Sequence, residues 1–178
     1  MIFTQTPLPG AYVIDVEPIS DQRGFFARSF CARDFERHGL KPVVAQANLS
    51  FNHLTGTLRG LHYQNAPAAE TKLVRCTAGA IWDVIVDLRP GPTYRQHFGV
   101  ELSAANRRAL YVPESFAHGY LTLTDGAEVI YSVGEFYTPG LEGGYRHDDP
   151  ALGIDWPVPV AVISPKDAAW PLIEGTRA

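Results

Sequence analysis

Cysteine, methionine, long apolar runs and an excess of either charge are what this sequence is short of. Among 178 residues there are two cysteines, Cys31 and Cys76, without CxxC spacing. Two isolated thiols fit a reducing compartment and exclude a disulfide framework. No stretch approaches the roughly 18 consecutive apolar residues of a membrane-spanning helix, so no membrane partner is expected. The N-terminal run MIFTQTPLPGAYVIDV has no basic stretch ahead of an apolar one. No secretory leader is therefore expected, and the predicted location is cytoplasmic. Lys and Arg number 15 against 19 Asp and Glu, a formal net charge of -4. That balance lacks the basic footprint by which nucleic acid is held, so none is expected as a partner. A metal-binding barrel of this size would need two His one residue apart, then a carboxylate and a third His. Here Gln64 stands two residues after His62 and His118 stands alone, so no metal is expected.

What is present is punctuation. The 16 Gly and 14 Pro are spread along the whole chain, and no repeat or linker divides it. Between them lie short runs rich in Val, Ile, Leu, Tyr and Phe. These predict strands near 11–17, 24–30, 43–51, 57–64, 71–77, 80–88, 96–102, 108–112, 118–124 and 127–133. Strands at that spacing, divided by turns such as Thr124-Asp125-Gly126, predict an all-β sandwich or barrel. Helix signals are confined to 31–38, ended by Gly39, and to a turn begun by Ser164 as N-cap with Pro165 behind it. The chain reads as a single domain, residues 1–178. Its core spans about 10–135, and 136–178 forms an ordered excursion ending in a short helical segment.

The chemistry concentrates in Leu58-Arg59-Gly60-Leu61-His62-Tyr63-Gln64. A lone His on a strand is more often structural than catalytic. Here Gly60 is poor strand material and marks a bulge or a close backbone approach. Arg59 needs an anionic partner if it faces a barrel interior. Strict alternation puts Leu58, Gly60, His62 and Gln64 on one face and Arg59, Leu61 and Tyr63 on the other. Arg59 and His62 share a pocket only if the strand is bulged or twisted near Gly60. Gln46 and Asn48 alternate, so both amides face one side and need partners. Arg23 lies beside Phe25 and Phe26, a fork donor next to aromatics that suits phosphate and base recognition; a surface Arg beside two core Phe is the plainer reading. Tyr131 is either a core ring or a phenolic acid. Asp167 is either a helix cap or the carboxylate that orients a His.

Arg59-Gly60-Leu61-His62-Tyr63-Gln64, Lys72-Leu73-Val74-Arg75, Val112-Pro113-Glu114 with Ala117-His118-Gly119, Asp148-Asp149-Pro150 and Ser164-Pro165-Lys166-Asp167 occur in the order seen in one family. From about Asp21 to Pro171 the chain resembles the dTDP-4-dehydrorhamnose 3,5-epimerases. The resemblance implies a cupin-type jelly roll, a homodimer, no cofactor or metal, and a dTDP-linked 4-keto sugar as substrate. It implies His62 as base, Asp167 as its partner, Tyr131 as acid and Lys72 beside the developing oxyanion. It also implies that Gln46, Asn48, Arg59, His118, Tyr137, Glu142 and Lys166 line the substrate site. Arg23 and Phe26 would reach it across the dimer. Four departures stand out: Arg28 where Glu is common, Leu49 for His, Ser132 for Lys, and Glu70-Thr71 for Gln-Gly. Two alternatives stay open, an epimerase of C3 or C5 alone and a non-catalytic sugar-nucleotide-binding cupin. Retention of His62, Lys72, Tyr131 and Asp167 together argues against the second.

Overall fold

The computed structural model describes residues 1–173. In chain order its elements are β1 (Ile2–Gln5), β2 (Tyr12–Asp15), β3 (Ile19–Asp21), β4 (Gly24–Phe26), α1 (Ala32–Arg37), β5 (Gln46–Asn52), β6 (Thr57–Gln64), β7 (Lys72–Ala78), β8 (Ala80–Asp87), β9 (His97–Ser103), β10 (Ala109–Val112), β11 (Phe116–Thr122), β12 (Ala127–Val133), β13 (Glu142–Gly144), β14 (Val162–Ile163) and α2 (Pro165–Ala168). One sheet runs β1-β2-β10-β7-β12-β5. The other runs β13-β6-β11-β8-β9, with β14 added in parallel to β6. β3 and β4 form a separate two-stranded ribbon. This is the all-β sandwich that the strand spacing predicted, in the jelly-roll form that the resemblance implied.

The inner faces of the two sheets close on one core, which includes Val74, Cys76, Ile81, Ile85, Leu102, Leu110, Phe116, Tyr120 and Val129. Alternation explains the membership. In β12, Ala127, Val129 and Val133 are buried while Ile130 between them is exposed. β8 and β11 break that pattern because both of their faces are covered. Val86 and Ala117 point away from the core and are packed by Leu152, Ile154, Trp156 and Ile173 from the C-terminal excursion. On the outer side of the first sheet, Phe35 of α1 and Leu40 pack on Ile14, Ala109 and Tyr111.

β6 is bulged where its sequence predicted. His62 is registered with His118 and Arg59 with Tyr120, so Gly60 and Leu61 together face the single residue Gly119. The extra residue shifts the side-chain alternation by one. Arg59 and His62 therefore both project to the inner side, and Leu58, which strict alternation placed with His62, pairs across to Leu121 instead. Gly60 has φ +132°, and a Cβ there would meet Gly119 Cα at 2.5 Å. A Cβ on Gly119 would in turn meet the Arg59 carbonyl oxygen at 2.8 Å. Only glycine fits either position.

Other expectations shift at their ends. The strand predicted at 24–30 stops at Phe26, because its partner β3 ends the ladder at Ile19 and Pro18 brings no N–H to continue it. The strand predicted at 43–51 starts at Gln46, where the partnering Val133 closes β12. β1, β3, β13 and β14 were not anticipated; each has four residues or fewer, too short for alternation to show. β1, β13 and β14, which lie outside 10–135, join the main sheets. Residues 174–178, the tail of the predicted 136–178 segment, lie outside the described residues.

Candidate active site

A cavity of about 800 Å³ opens between the two sheets. From the first sheet it receives the inward residues of β5, β7 and β12: Gln46, Asn48, Ser50, Lys72 and Tyr131. From the second it receives Arg59 and His62 of β6 and His118 and Tyr120 of β11. Tyr137, Glu142, Lys166 and Asp167 come from the C-terminal excursion. Of the predicted site residues only Arg23 and Phe26 stay out of the cavity. Both lie exposed on the β3–β4 ribbon, where Arg23 pairs with Asp21.

His62 and Asp167 lie 2.7 Å apart, Nε2 to Oδ1. The ring must donate, because an ionised carboxylate only accepts. That fixes the tautomer with the proton on Nε2 and leaves Nδ1 as a lone-pair base. Asp167 is held by the turn around it. The Ser164 hydroxyl accepts its backbone N–H at 3.0 Å, the N-cap foreseen from sequence. The Gly60 N–H donates to its other oxygen at 3.3 Å. Burial pushes the Asp167 carboxyl up, but the His62 hydrogen bond and charge and the Gly60 N–H outweigh it, so its pKa is lowered.

The opposite wall carries the donors. Tyr131 is raised above the ordinary phenol value, first by burial and then by Tyr120 and Glu70, with Arg59 opposing. Lys72 is almost wholly buried and ion-paired with Glu70. Arg59 Nε donates to Asn52 Oδ1 at 2.8 Å, which fixes the guanidinium along the cavity rim. Gln46 Oε1 accepts the Tyr137 N–H at 2.7 Å. Lys166 Nζ donates to both oxygens of Glu142 at 2.8 Å.

A second His–carboxylate pair lies deeper. His118 Nε2 donates to Asp83 Oδ1 at 2.8 Å, and Asp83 Oδ2 is buried without a partner. Burial drives the Asp83 carboxyl upward against the pull of His118. Gln64, which occupies the place a metal-binding His would take, is held by loop backbone. Its Nε2 donates to the carbonyls of Ala68 and Phe136, and its Oε1 accepts from Thr138 N–H. Among the described residues no three His, Cys, Asp or Glu side chains converge as a metal site.

Sequence reasoning missed Ser50, Asn52, Glu70, Asp83 and Tyr120, which line or support this site. Ser50 and Asn52 continue the inward row begun by Gln46 and Asn48, so period-two alternation was enough to find them. Both bond the Tyr120 hydroxyl, at 2.9 and 3.3 Å. Asp83 announces itself as a carboxylate in the middle of the apolar run AIWDVIV, four residues before the strand-ending Asp87. Glu70 precedes its strand and carries no periodic signal.

The sequence pattern of the family described as dTDP-4-dehydrorhamnose 3,5-epimerase matches residues 5–175. The enzyme of that name from Salmonella typhimurium is 42% identical, over 98% of this chain and 96% of its own. The crystal structure of the Bacillus anthracis dTDP-4-dehydrorhamnose 3,5-epimerase with TDP and PPi bound superposes with a TM-score of 0.93 at 40% identity, covering 97% of this chain and 99% of that one. A Streptomyces niveus relative named dTDP-4-dehydrorhamnose 3-epimerase is 38% identical over 90% of this chain and 78% of its own. A match of this length, on a jelly roll whose cavity gathers the expected His, Asp, Tyr and Lys, means that the chain belongs to the dTDP-4-dehydrorhamnose 3,5-epimerase family.

Proposed function

We propose that the protein inverts C3 and C5 of dTDP-4-dehydro-6-deoxy-D-glucose, giving dTDP-4-dehydro-L-rhamnose. The observation that carries this reading is that the base and the acid stand on facing sheets across one cavity: His62 on β6, Tyr131 on β12. Inversion of a carbon requires the proton to leave from one face of the ring and return to the other. A racemising site with one group, or a binding site with none, has no need of that arrangement.

The 4-keto group acidifies the hydrogens on C3 and C5. Nδ1 of His62 takes one of them, and the C–H electron pair moves into the ring to form an enolate at O4. Asp167 stabilises the imidazolium that results. Lys72 supplies positive charge where the oxygen becomes negative. Tyr131 then donates its phenolic proton to the opposite face of the same carbon, and the enolate collapses to the ketone. His62 loses its proton to solvent and Tyr131 regains one, which readies the site for the second carbon. Because the Tyr131 pKa is raised, the phenol stays protonated through the neutral range and beyond.

In this reading the whole chain acts as one domain, and a second copy completes the site. Arg23 and Phe26 are too far out on their ribbon to enter their own cavity, and Phe26 is 67% exposed. Leu49, Phe51 and Ile130 form an exposed apolar face on β5 and β12. An apolar face of that kind on a sheet fits a homodimer. The four groups of the site perform the chemistry without a cofactor. A cytoplasmic location fits the two free cysteines. No described helix is long and apolar enough to cross a membrane.

Incubation with the 4-keto sugar nucleotide in deuterated water, followed by NMR, tests the assignment. Deuterium at both C3 and C5 with an L-configured product is expected. The relative named as a 3-epimerase favours a second reading, inversion at C3 alone, and deuterium confined to C3 would select it. No deuterium at either carbon would overturn both.

A further inference from the structure

We infer that Glu70 is a positioning residue for this reaction: its carboxylate holds the Lys72 ammonium against the cavity wall and keeps it charged for the oxyanion. The inference rests on Lys72 serving the enolate, as proposed above. Glu70 lies just before β7, in a segment fixed on both sides. The Ala68 carbonyl accepts from Gln64 Nε2 at 2.6 Å, and the Thr71 carbonyl accepts from Gly134 N–H at 2.9 Å. Glu70 is thereby presented to the same cavity that Lys72 enters. The side chains of Lys72 and Glu70 are 7% and 14% exposed, so the pair is largely desolvated.

An ammonium buried to that degree is costly without an opposite charge, and it gives up its proton more readily if the charge is removed. The other carboxylates of the site are committed elsewhere: Asp167 to His62, Glu142 to Lys166 and Asp83 to His118. Glu70 is the one that answers Lys72. An ammonium has three donors. One is taken by Glu70, and two are left for the oxygen that becomes negative. The titratable and charged groups that line the cavity with the pair are Arg59, His62, Tyr63, His118, Tyr120, Tyr131, Tyr137, Glu142, Lys166 and Asp167. Of these, Tyr131 feels Glu70 directly, in the direction that keeps the phenol protonated. Loss of the Glu70 charge thus weakens both the cation and the acid at high pH, and the two effects have the same sign.

Glu70→Gln keeps the shape and removes the charge. It should lower kcat about tenfold at pH 9, move the alkaline limb of the kcat profile down by about one pH unit, and leave KM within about twofold. Glu70→Asp should restore the limb, because the charge returns. A second readout needs no substrate. Lysines are methylated with 13C-formaldehyde under reducing conditions, and the Lys72 resonance, assigned by its absence in Lys72→Arg, is titrated. Its midpoint should fall in Glu70→Gln relative to the wild type, because the buried ammonium loses its counter-charge. An unchanged midpoint, or an unchanged alkaline limb in an active Glu70→Gln, would overturn the role of Glu70. Failure of the wild-type protein to exchange any hydrogen of the keto sugar would instead overturn the epimerase reading, and the Lys72 titration would still decide the question for Glu70.

Discussion

Two His–carboxylate pairs stand side by side in one cavity, with nearly equal bond lengths and opposite surroundings. His62 and His118 are directly registered neighbours on β6 and β11. They bond Asp167 and Asp83 at 2.7 and 2.8 Å. His62 is 42% exposed in its side chain and His118 only 9%; Asp167 is 7% exposed and Asp83 not at all. The second oxygen of Asp167 accepts the Gly60 N–H, and its carboxyl is lowered. Asp83 has one oxygen without a partner, and its carboxyl is raised by burial. Hydrogen-bond distance therefore does not distinguish a base from a structural or binding pair. Access and the support given to the carboxylate do. His62 has a stabilised counter-charge and an open nitrogen, so it suits proton abstraction. His118, nearly closed off from solvent, suits the shaping of the cavity for a bound ligand.

The largest effect is expected from removing the exposed ring. His62→Ala should abolish deuterium exchange at both carbons, a loss of about 10³-fold or more. His118→Ala should cost about tenfold, chiefly in KM. Equal losses from the two would break the contrast. Asp167→Asn comes next, at about 10²-fold in kcat, because the amide holds the ring without stabilising the imidazolium. Asp83→Asn should leave kcat within about tenfold. Single-turnover exchange, read by NMR, measures all four.

Gly60→Ala sharpens the contrast through the backbone. The added Cβ collides with Gly119 and loses the left-handed φ, so about 2–3 kcal/mol of stability should go. Where the protein still folds, His62 activity should fall with the melting temperature. The inner pair leans on β8 and β11, whose register involves no bulge, so it should tolerate the change better.

Much of this was legible beforehand. The strands 57–64 and 127–133 coincide with β6 and β12, because both alternate or punctuate clearly. The bulge followed from the conflict between Arg59 and His62 at period two, with Gly60 as the one residue able to relieve it. Ser164-Pro165-Lys166-Asp167 announced its own cap. The Asp83–His118 pair was hidden, because two residues 35 apart meet only when β8 and β11 are registered. Glu70 was hidden for a related reason. Its neighbour in sequence is also its partner, and nothing in the local pattern marks the pair as buried until the barrel closes.

The smallest expected effect is thermodynamic and sets the two carboxylates against each other by sign. Asp167 has a lowered folded pKa, so its contribution to stability is present above the unfolded value near 3.8 and is lost as pH falls through the folded value. Asp83 has a raised folded pKa, so its contribution is present below 3.8 and is lost as pH rises through the folded value. The difference in melting temperature between wild type and Asp167→Asn should therefore widen from pH 3 to pH 6. The corresponding difference for Asp83→Asn should move toward the variant over the same range, since the amide carries no charge to bury. Parallel slopes for the two variants would mean that Asp83 is supported as well as Asp167 is. The division between an open, stabilised pair and a closed, unsupported one would then fail on the ground where it is most directly measured.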